Sequence, residues 1–396
     1  MAPPPTNRGN PRGPPAHARG RGDRILALLA PYLRFADHLS MRLVSREWRR
    51  FCRLAGRAPP PFPWLMLPPP AAPAPAAAAA EARRVFYDIP GGRSYAYEVP
   101  AYHRCVASRA GWLVLAALDP PRRFVLANPI TGARRVLAWP FGDRGTEGFH
   151  AVLTASPADP ACFLAVATDR LIAYCRPGRR GGGGWATLRA PGFRYDTSGS
   201  DVVSVGSTVY LVDERRKLWR ADLAVADPKV ERRDTTFVLE EGEGDRRWRH
   251  YLVESLGHVH LVISDEHQKN MGLFRLDWIS RLWTPTVAEA LGDRVLLLGR
   301  GCSAAVPAAA ARRAPGSVLV TRQPWSFVHV GSTVHGGGAG GGGGGGGGGQ
   351  QWFWTESQLG AGADEQIVLR KTVPHRPGVF TAGDAFWFFP GTDPSG

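Results

Sequence analysis

The sequence predicts a mainly β fold: a β-propeller of about six blades, preceded by a small helical hairpin. Three observations carry that prediction. After Arg83 the chain becomes a series of short β-branched and aromatic runs broken by turn residues, a loose repeat recurs within them, and before Gly56 the apolar residues fall at helical spacing.

The runs come first. Examples are 111–115, 124–127, 163–167, 202–205, 208–212, 251–253, 258–263, 272–276 and 294–298, runs of three to six residues with turn residues between them. Short strands joined by turns fit a sandwich, a barrel or a propeller. The repeat selects the propeller. Three segments open alike, as Ala110-Gly-Trp-Leu-Val-Leu, Val205-Gly-Ser-Thr-Val-Tyr-Leu and Leu256-Gly-His-Val-His-Leu, and each leads to an aromatic-ended strand at Trp139, Trp219 or Trp283. Their spacing fits a period of roughly 45 to 50 residues, that of one four-stranded blade, and the strands number enough for about six blades, one either way. The aromatic run at 386–389 is placed to close the ring against an early strand.

The helical segment spans residues 23 to 54, with one proline and no glycine; Ile25, Leu28, Leu29 and Leu33, then Leu39, Leu43 and Val44, follow the helical period, and Asp23 suits an N-cap. Residues 1–22 form a Pro/Gly/Arg tail with almost nothing to bury, read as disordered. The helical module therefore spans 23–56, a Pro/Ala-rich linker 57–82, and the β domain 83–390, with a disordered glycine-rich insertion at 336–350. The apolar stretch 62–67 inside the linker is expected to pack on the domain that follows.

Composition bounds the partners. A net charge of +15 invites a nucleic-acid reading, but only four of the 49 cations are lysines and the arginines are scattered, so nucleic acid is not the expected ligand. Five cysteines, Cys52, Cys105, Cys162, Cys175 and Cys302, are odd in number with no C-x-x-C pair, which points to small buried hydrophobes in a reducing compartment. No apolar run approaches the roughly 18 residues of a membrane span, and the N-terminus lacks the order of a secretory signal. The expected location is intracellular, in nucleus or cytoplasm. The acid-free, Arg-rich first 22 residues leave an organelle transit peptide as a minority alternative.

One stretch carries a family resemblance. From Ile25 to Arg49 the chain resembles an F-box, in which a leucine-rich helix precedes an Asp-x-Leu turn and an Arg-x-Val-Cys-x-x-Trp helix. Ile25, Leu26, Leu29 and Leu33 match the first part, Asp37 and Leu39 the turn, and Arg42, Val44 and Trp48 the last helix, while Ser45 stands in place of the cysteine and Arg21-Gly22 in place of Leu-Pro. The rest, roughly 60 to 390, resembles the C-terminal domain of unknown function in plant F-box proteins, related to kelch-like propellers. Asn128-Pro-Ile-Thr-Gly132, Phe274-Arg-Leu-Asp-Trp278 and the stretch 291–303 carry that likeness, which fades after Ser303. The resemblance implies a substrate-recruiting adaptor of an SCF-type ubiquitin ligase, whose nine matching residues hold a Skp-type linker protein on a cullin scaffold while the propeller binds an unknown protein target.

The residues themselves offer little chemistry. His258 and His260 share one side of a strand, with Asp265, Glu266 and His267 nearby, but no third metal ligand is set by spacing. The acidic stretch Glu240, Glu241, Glu243 and Asp245 lacks the ligand order of a calcium loop, and no nucleophile elbow or phosphate loop is present. Neither enzyme activity nor a cofactor or metal is expected. Trp112, Trp139, Trp219, Trp278 and Trp283 read as core, with one or two reserved as binding anchors. The rival reading is a free-standing propeller, a binding module or hydrolase with a helical cap.

Overall fold

In the computed structural model the chain divides into two compact units, residues 1–61 and 62–396. The structure describes parts of residues 25–54, most of 63–67 and 81–321, the segments 354–358, 369–370 and 386–388, and residue 390. The tail 1–22 and the glycine-rich insertion 336–350 lie outside the described residues.

The described residues of the first unit are mostly helical. Ile25, Leu28 and Leu29 lie in helix, followed by the helices Phe35–Val44 and Arg46–Leu54. Ser45 separates the last two, and its Oγ accepts the N–H of Trp48 at 3.2 Å, an N-cap bond to the third helical residue. Asp37 and Glu47 stand in the first turns of their helices, where a carboxylate favours the positive end of the helix dipole.

The second unit is a six-bladed β-propeller: six sheets of four or five strands among the described residues. The first blade holds β1 (Trp64–Met66), β2 (Glu81–Asp88) and β3 (Arg93–Pro100), and the second β4 (Arg104–Arg109), β5 (Trp112–Ala117), β6 (Arg123–Ala127) and β7 (Arg134–Ala138). The third has β8 (His150–Leu153), β9 (Leu164–Ala167), β10 (Ile172–Cys175) and β11 (Ala186–Leu188); the fourth has β12 (Asp201–Val205), β13 (Thr208–Val212), β14 (Leu218–Asp222) and β15 (Glu231–Arg233). The fifth comprises β16 (Thr236–Phe237), β17 (Trp248–Ser255), β18 (His258–Asp265), β19 (Met271–Asp277) and β20 (Leu282–Pro285). The sixth comprises β21 (Arg294–Leu298), β22 (Ala304–Pro307), β23 (Ser317–Thr321), β24 (Trp354–Gln358) and β25 (Leu369–Arg370).

The ring closes as the aromatic C-terminal run predicts. β26 (Phe386–Phe388) joins the first blade as its innermost strand, antiparallel to β1, with Trp64 opposite Phe388 and Met66 opposite Phe386. Phe388 packs edge-on to Phe86 with ring centroids 5.0 Å apart. A strand from the far end of the chain thus completes the first blade, so ring closure and chain closure are one event.

This pairing corrects the predicted linker. Residues 57–82 hold β1 and the start of β2, so the propeller begins near Phe62 and not at 83. A three-residue strand between prolines has too little pattern to be read, and of its two partners, β2 and β26, the second lies at the other end of the sequence.

Two connections depart from the simple meander. β16 follows the fourth blade in sequence but pairs parallel with β20 at the outer edge of the fifth. In the sixth blade β22 turns back to the innermost position, and the short helix Ala308–Ala311 carries the chain over so that β23 runs parallel to β21. The predicted repeat survives as hairpins. Ala110 with Gly111 (φ 50° and 85°) and Leu256 with Gly257 (φ 52° and 80°) put both central residues at positive φ, the twist that a two-residue hairpin requires.

Blades stack on one another, so their strands bury both faces. Trp112, Val114, Phe124 and Leu126 of the second blade pack with Ala151, Leu153, Leu164 and Val166 of the third. Val203, Val212 and Leu218 of the fourth meet Leu252, Leu261, Phe274 and Trp283 of the fifth. Two-faced burial explains why these strands read as continuous apolar runs and not as alternating ones. Each fully buried Leu or Val contributes about 1.5–3 kcal/mol.

Candidate functional site

The first candidate surface is the helical unit. Ile25 (54% exposed), Leu28 (73%), Leu29 (42%) and Val44 (64%) leave large apolar side chains in solvent. The first three are spaced i, i+3, i+4 and so share one helix face. Of the other predicted partner-binding residues, Leu33, Asp37, Leu39 and Trp48 are half-buried; Leu26 and the side chain of Arg42 lie outside the described residues. Leu28, absent from the predicted set, is the most exposed leucine of the group, and its helical spacing was the signal available for it. Ser45, in place of a cysteine, is employed as the N-cap of the second helix.

The second candidate is the propeller axis. The innermost strands β26, β4, β8, β12, β17 and β22 surround it. The loop joining β21 to β22 reaches it. The N–H of Gly301 donates to Asp201 Oδ1 at 3.1 Å, the N–H of Leu252 donates to Asp201 Oδ2 at 2.9 Å, and Ser303 Oγ stands 3.5 Å from the same carboxylate. A Cβ on Gly301, which has φ 65°, would lie 2.8 Å from the Val106 carbonyl oxygen and 3.4 Å from that of Ala151. The loop therefore starts in the sixth blade and touches the inner strands of the second, third and fourth. Asp201 is fully buried, and its carboxylate ties β12, β17 and this loop together. Sequence reading singled out Gly301-Cys-Ser303 but missed Asp201, whose one signal is a charged residue heading the apolar run Val202 to Val205.

Nearer the other end of the inner strands lies a second polar group. Arg109 Nη1 donates to Ser204 Oγ at 3.2 Å, and Ser204 Oγ donates to the Leu153 carbonyl at 3.4 Å. Burial lowers the pKa of the Arg109 guanidinium, and the neighbouring Glu254 opposes that shift. The arrangement is a cross-tie between three blades, with one cation at its centre.

The predicted chemical candidates separate in space. His258 is exposed and His260 is 2% exposed, so they share a strand face but not an environment. Burial lowers the His260 pKa, favouring the neutral ring. No group of three metal-ligating side chains occurs among the described residues, and the acidic stretch 238–247 lies outside them. Cys162, Cys175 and Cys302 are buried, as expected of small hydrophobes, while Cys52 and Cys105 are half-buried. Burial pushes Cys105 and Cys175 up to about 12 and Cys162 to about 11, so these thiols stay protonated and are poor nucleophiles at neutral pH. No described helix is long and apolar enough to cross a membrane.

Among the tryptophans, Trp112, Trp219 and Trp283 are core, Trp139 is half-buried, and Trp278 is 41% exposed. Asn128 forms the turn expected of Asn128-Pro-Ile-Thr-Gly132: its Oδ1 accepts the N–H groups of Ile130 and Thr131, each at 3.0 Å.

Comparison with known proteins agrees with this architecture. The KIB1-4 beta-propeller family matches residues 86–332, more than half of the chain, and the chain belongs to that family. Among curated proteins no sequence matches. Similar solved structures include Kluyveromyces lactis Hsv2p, at 11% identity over 55% of this chain and 72% of that one with a TM-score of 0.32. A prolyl endopeptidase structure aligns at 14% identity over 53% of this chain with a TM-score of 0.32, and the chain spans only 31% of that protein.

Proposed function

We propose that this member of the KIB1-4 beta-propeller family is a non-enzymatic, substrate-recruiting adaptor of an SCF-type ubiquitin ligase. Its helical residues 23–54 hold the Skp-type linker protein on the cullin scaffold, and its propeller presents a protein target. Its contribution to the reaction is proximity: tethering raises the effective concentration of the target's lysines near the ubiquitin-loaded enzyme.

The observation that carries this reading is the apolar surface of the helical unit. Ile25, Leu28, Leu29 and Val44 are exposed on a segment whose residues also fit the F-box pattern. An amphipathic helix laid in a partner's groove reads through such i, i+3, i+4 anchors. The inner strands add support. The chain's own Gly301 loop and the buried Asp201 tie β4, β8, β12 and β17 together there, a structural use of these polar groups.

A pull-down with purified Skp-type linker protein tests the reading. Wild type is expected to bind, and the double variants Leu39→Asp/Val44→Asp and Leu28→Asp/Val44→Asp to lose binding by tenfold or more, each substitution placing a charge in a buried apolar contact. Equal capture of all three proteins would end the adaptor reading in favour of a free-standing binding module.

A further inference from the structure

Between the fourth and fifth blades lies a cleft that the adaptor reading does not use. Its volume is about 260 Å³, and it is lined by Arg220, Arg233, Thr235, Leu276, Asp277, Trp278 and Arg281. Arg220 and Arg233 come from neighbouring strands β14 and β15; Trp278 and Arg281 come from the hairpin joining β19 to β20. Tyr210 of the fourth blade holds Trp278, with ring centroids 5.3 Å apart. Thr235 Oγ1 accepts the Trp283 indole N–H at 3.1 Å and fixes the floor.

The charges here are unevenly matched. Glu231 is the shared partner of two guanidiniums: its Oε2 lies 3.1 Å from Arg220 Nε and 2.7 Å from Arg233 Nη2. Asp277 is engaged by its own turn, accepting the Ile279 N–H at 2.9 Å and the Ser280 hydroxyl at 2.7 Å, bonds that lower its pKa. Arg281 has no ion-pair partner among the described residues. Three cations thus face one cavity, and two carboxylates with other duties offset them only in part.

Two further observations bear on the cleft. Arg281 lines it from a turn position at φ 59°, a conformation that suits glycine. Beside it Trp278 is 41% and Ile279 94% exposed, an apolar ledge next to the basic cleft. The kind of partner follows from β15, the last strand in its sheet, whose outer edge carries no further strand among the described residues. An extended chain can pair along such an edge. A nucleic acid would need a row of cations tracking successive phosphates, and the arginines here are gathered round a single cavity.

We propose that this cleft recognises an extended peptide carrying an anionic side chain, a phosphate ester or a carboxylate, beside an apolar residue. The anion sits among Arg220, Arg233 and Arg281, the apolar side chain lies on Trp278 and Ile279, and the peptide backbone runs along β15. Charge-assisted hydrogen bonds from guanidinium to such an anion are the strong kind. The proposal does not depend on the adaptor reading, because it concerns the full chain without any linker protein.

Fluorescence anisotropy tests it, using the full chain and three labelled peptides identical but for a central phosphoserine, glutamate or serine next to leucine. The phosphoserine peptide, the glutamate peptide or both are expected to bind at least about tenfold more tightly than the serine twin, and their order tells which anion is the natural one. Arg281→Gly is expected to lose about tenfold in affinity while raising the melting temperature by about 1–3 °C, since glycine relieves the positive φ. That rise keeps weakened binding from being mistaken for unfolding. Arg170→Ala, at an exposed Arg170–Asp169 pair elsewhere, is expected to bind as wild type. Equal binding of the three peptides, or Arg281→Gly binding as tightly as wild type, overturns the proposal. So does a short RNA that competes through Arg281 as well as the phosphopeptide does.

Discussion

The helical unit and the propeller treat the same kinds of residue in opposite ways. In the propeller Leu113, Leu126, Leu211, Leu252 and Leu298 are fully buried between blades; in the helical unit Leu28 is 73% and Val44 64% exposed. A ring gives every blade two neighbours, so most apolar side chains meet another face, with Val136, Leu256 and Ile279 among the exposed exceptions. A helical segment of some thirty residues has no such second layer, and below about 40 residues a chain generally needs outside help to stay folded. The difference teaches that the propeller's buried leucines maintain the fold, whereas Leu28, Leu29 and Val44 of the helices contribute little to the burial of their own unit.

Substitutions sharpen or break this contrast. The largest effect is expected for Trp283→Ala, which empties a fully buried site between the fourth and fifth blades and removes the bond to Thr235: about 4 kcal/mol of unfolding free energy, read by denaturant titration. Next comes Asp201→Ala, expected to lose about 3 kcal/mol because the buried N–H of Leu252 and the half-buried N–H of Gly301 are left without their acceptor. Gly301→Val should rank close behind, at about 2–3 kcal/mol, through its positive φ and the collision with the Val106 carbonyl. If either axial substitution left the midpoint unmoved, the loop would be a passenger and not a tie.

The helical unit should behave in reverse. Leu28→Asp/Val44→Asp is expected to shift the unfolding of the propeller by no more than about 0.5 kcal/mol, as surface changes do, while binding of the linker protein is lost. The smallest effect concerns pH. The native pKa of His260 is lowered by burial, so above its ordinary value of 6.5 the ring is neutral in both states and contributes nothing. As pH falls below 6.5 the unfolded chain takes the proton first, and stability declines. His260→Gln should reduce that decline, measured as the difference between urea midpoints at about pH 7.5 and 5.5.

Legibility followed range. Strands such as Thr208–Val212 and Arg294–Leu298 could be bounded from sequence because two-faced burial selects continuous apolar runs and hairpin turns select Gly or a short polar pair. Trp64–Met66 could not, since three residues carry no pattern and the strand lies between β2 and, on its inner side, β26 from the other end of the chain. Nor could β16, whose two residues are a strand only because β20 lies beside them. The candidate sites divide in the same way. Helical spacing marked Ile25, Leu28 and Leu29, whereas the meeting of Arg220, Arg233 and Arg281 joins two blades and leaves no local trace.

By itself the sequence determined the local terms: which longer stretches are helix or strand, where hairpins turn, that a repeat of blade length makes a propeller, and that the aromatic run at 386–389 suits its closure. Tertiary structure alone decided which early strand receives that run, which loop reaches the axis at Asp201, and which one of five tryptophans stays in solvent. The physical reason is that propensity and periodicity act over a few residues, whereas closure and convergence depend on contacts between residues that are neighbours only once every blade is in place.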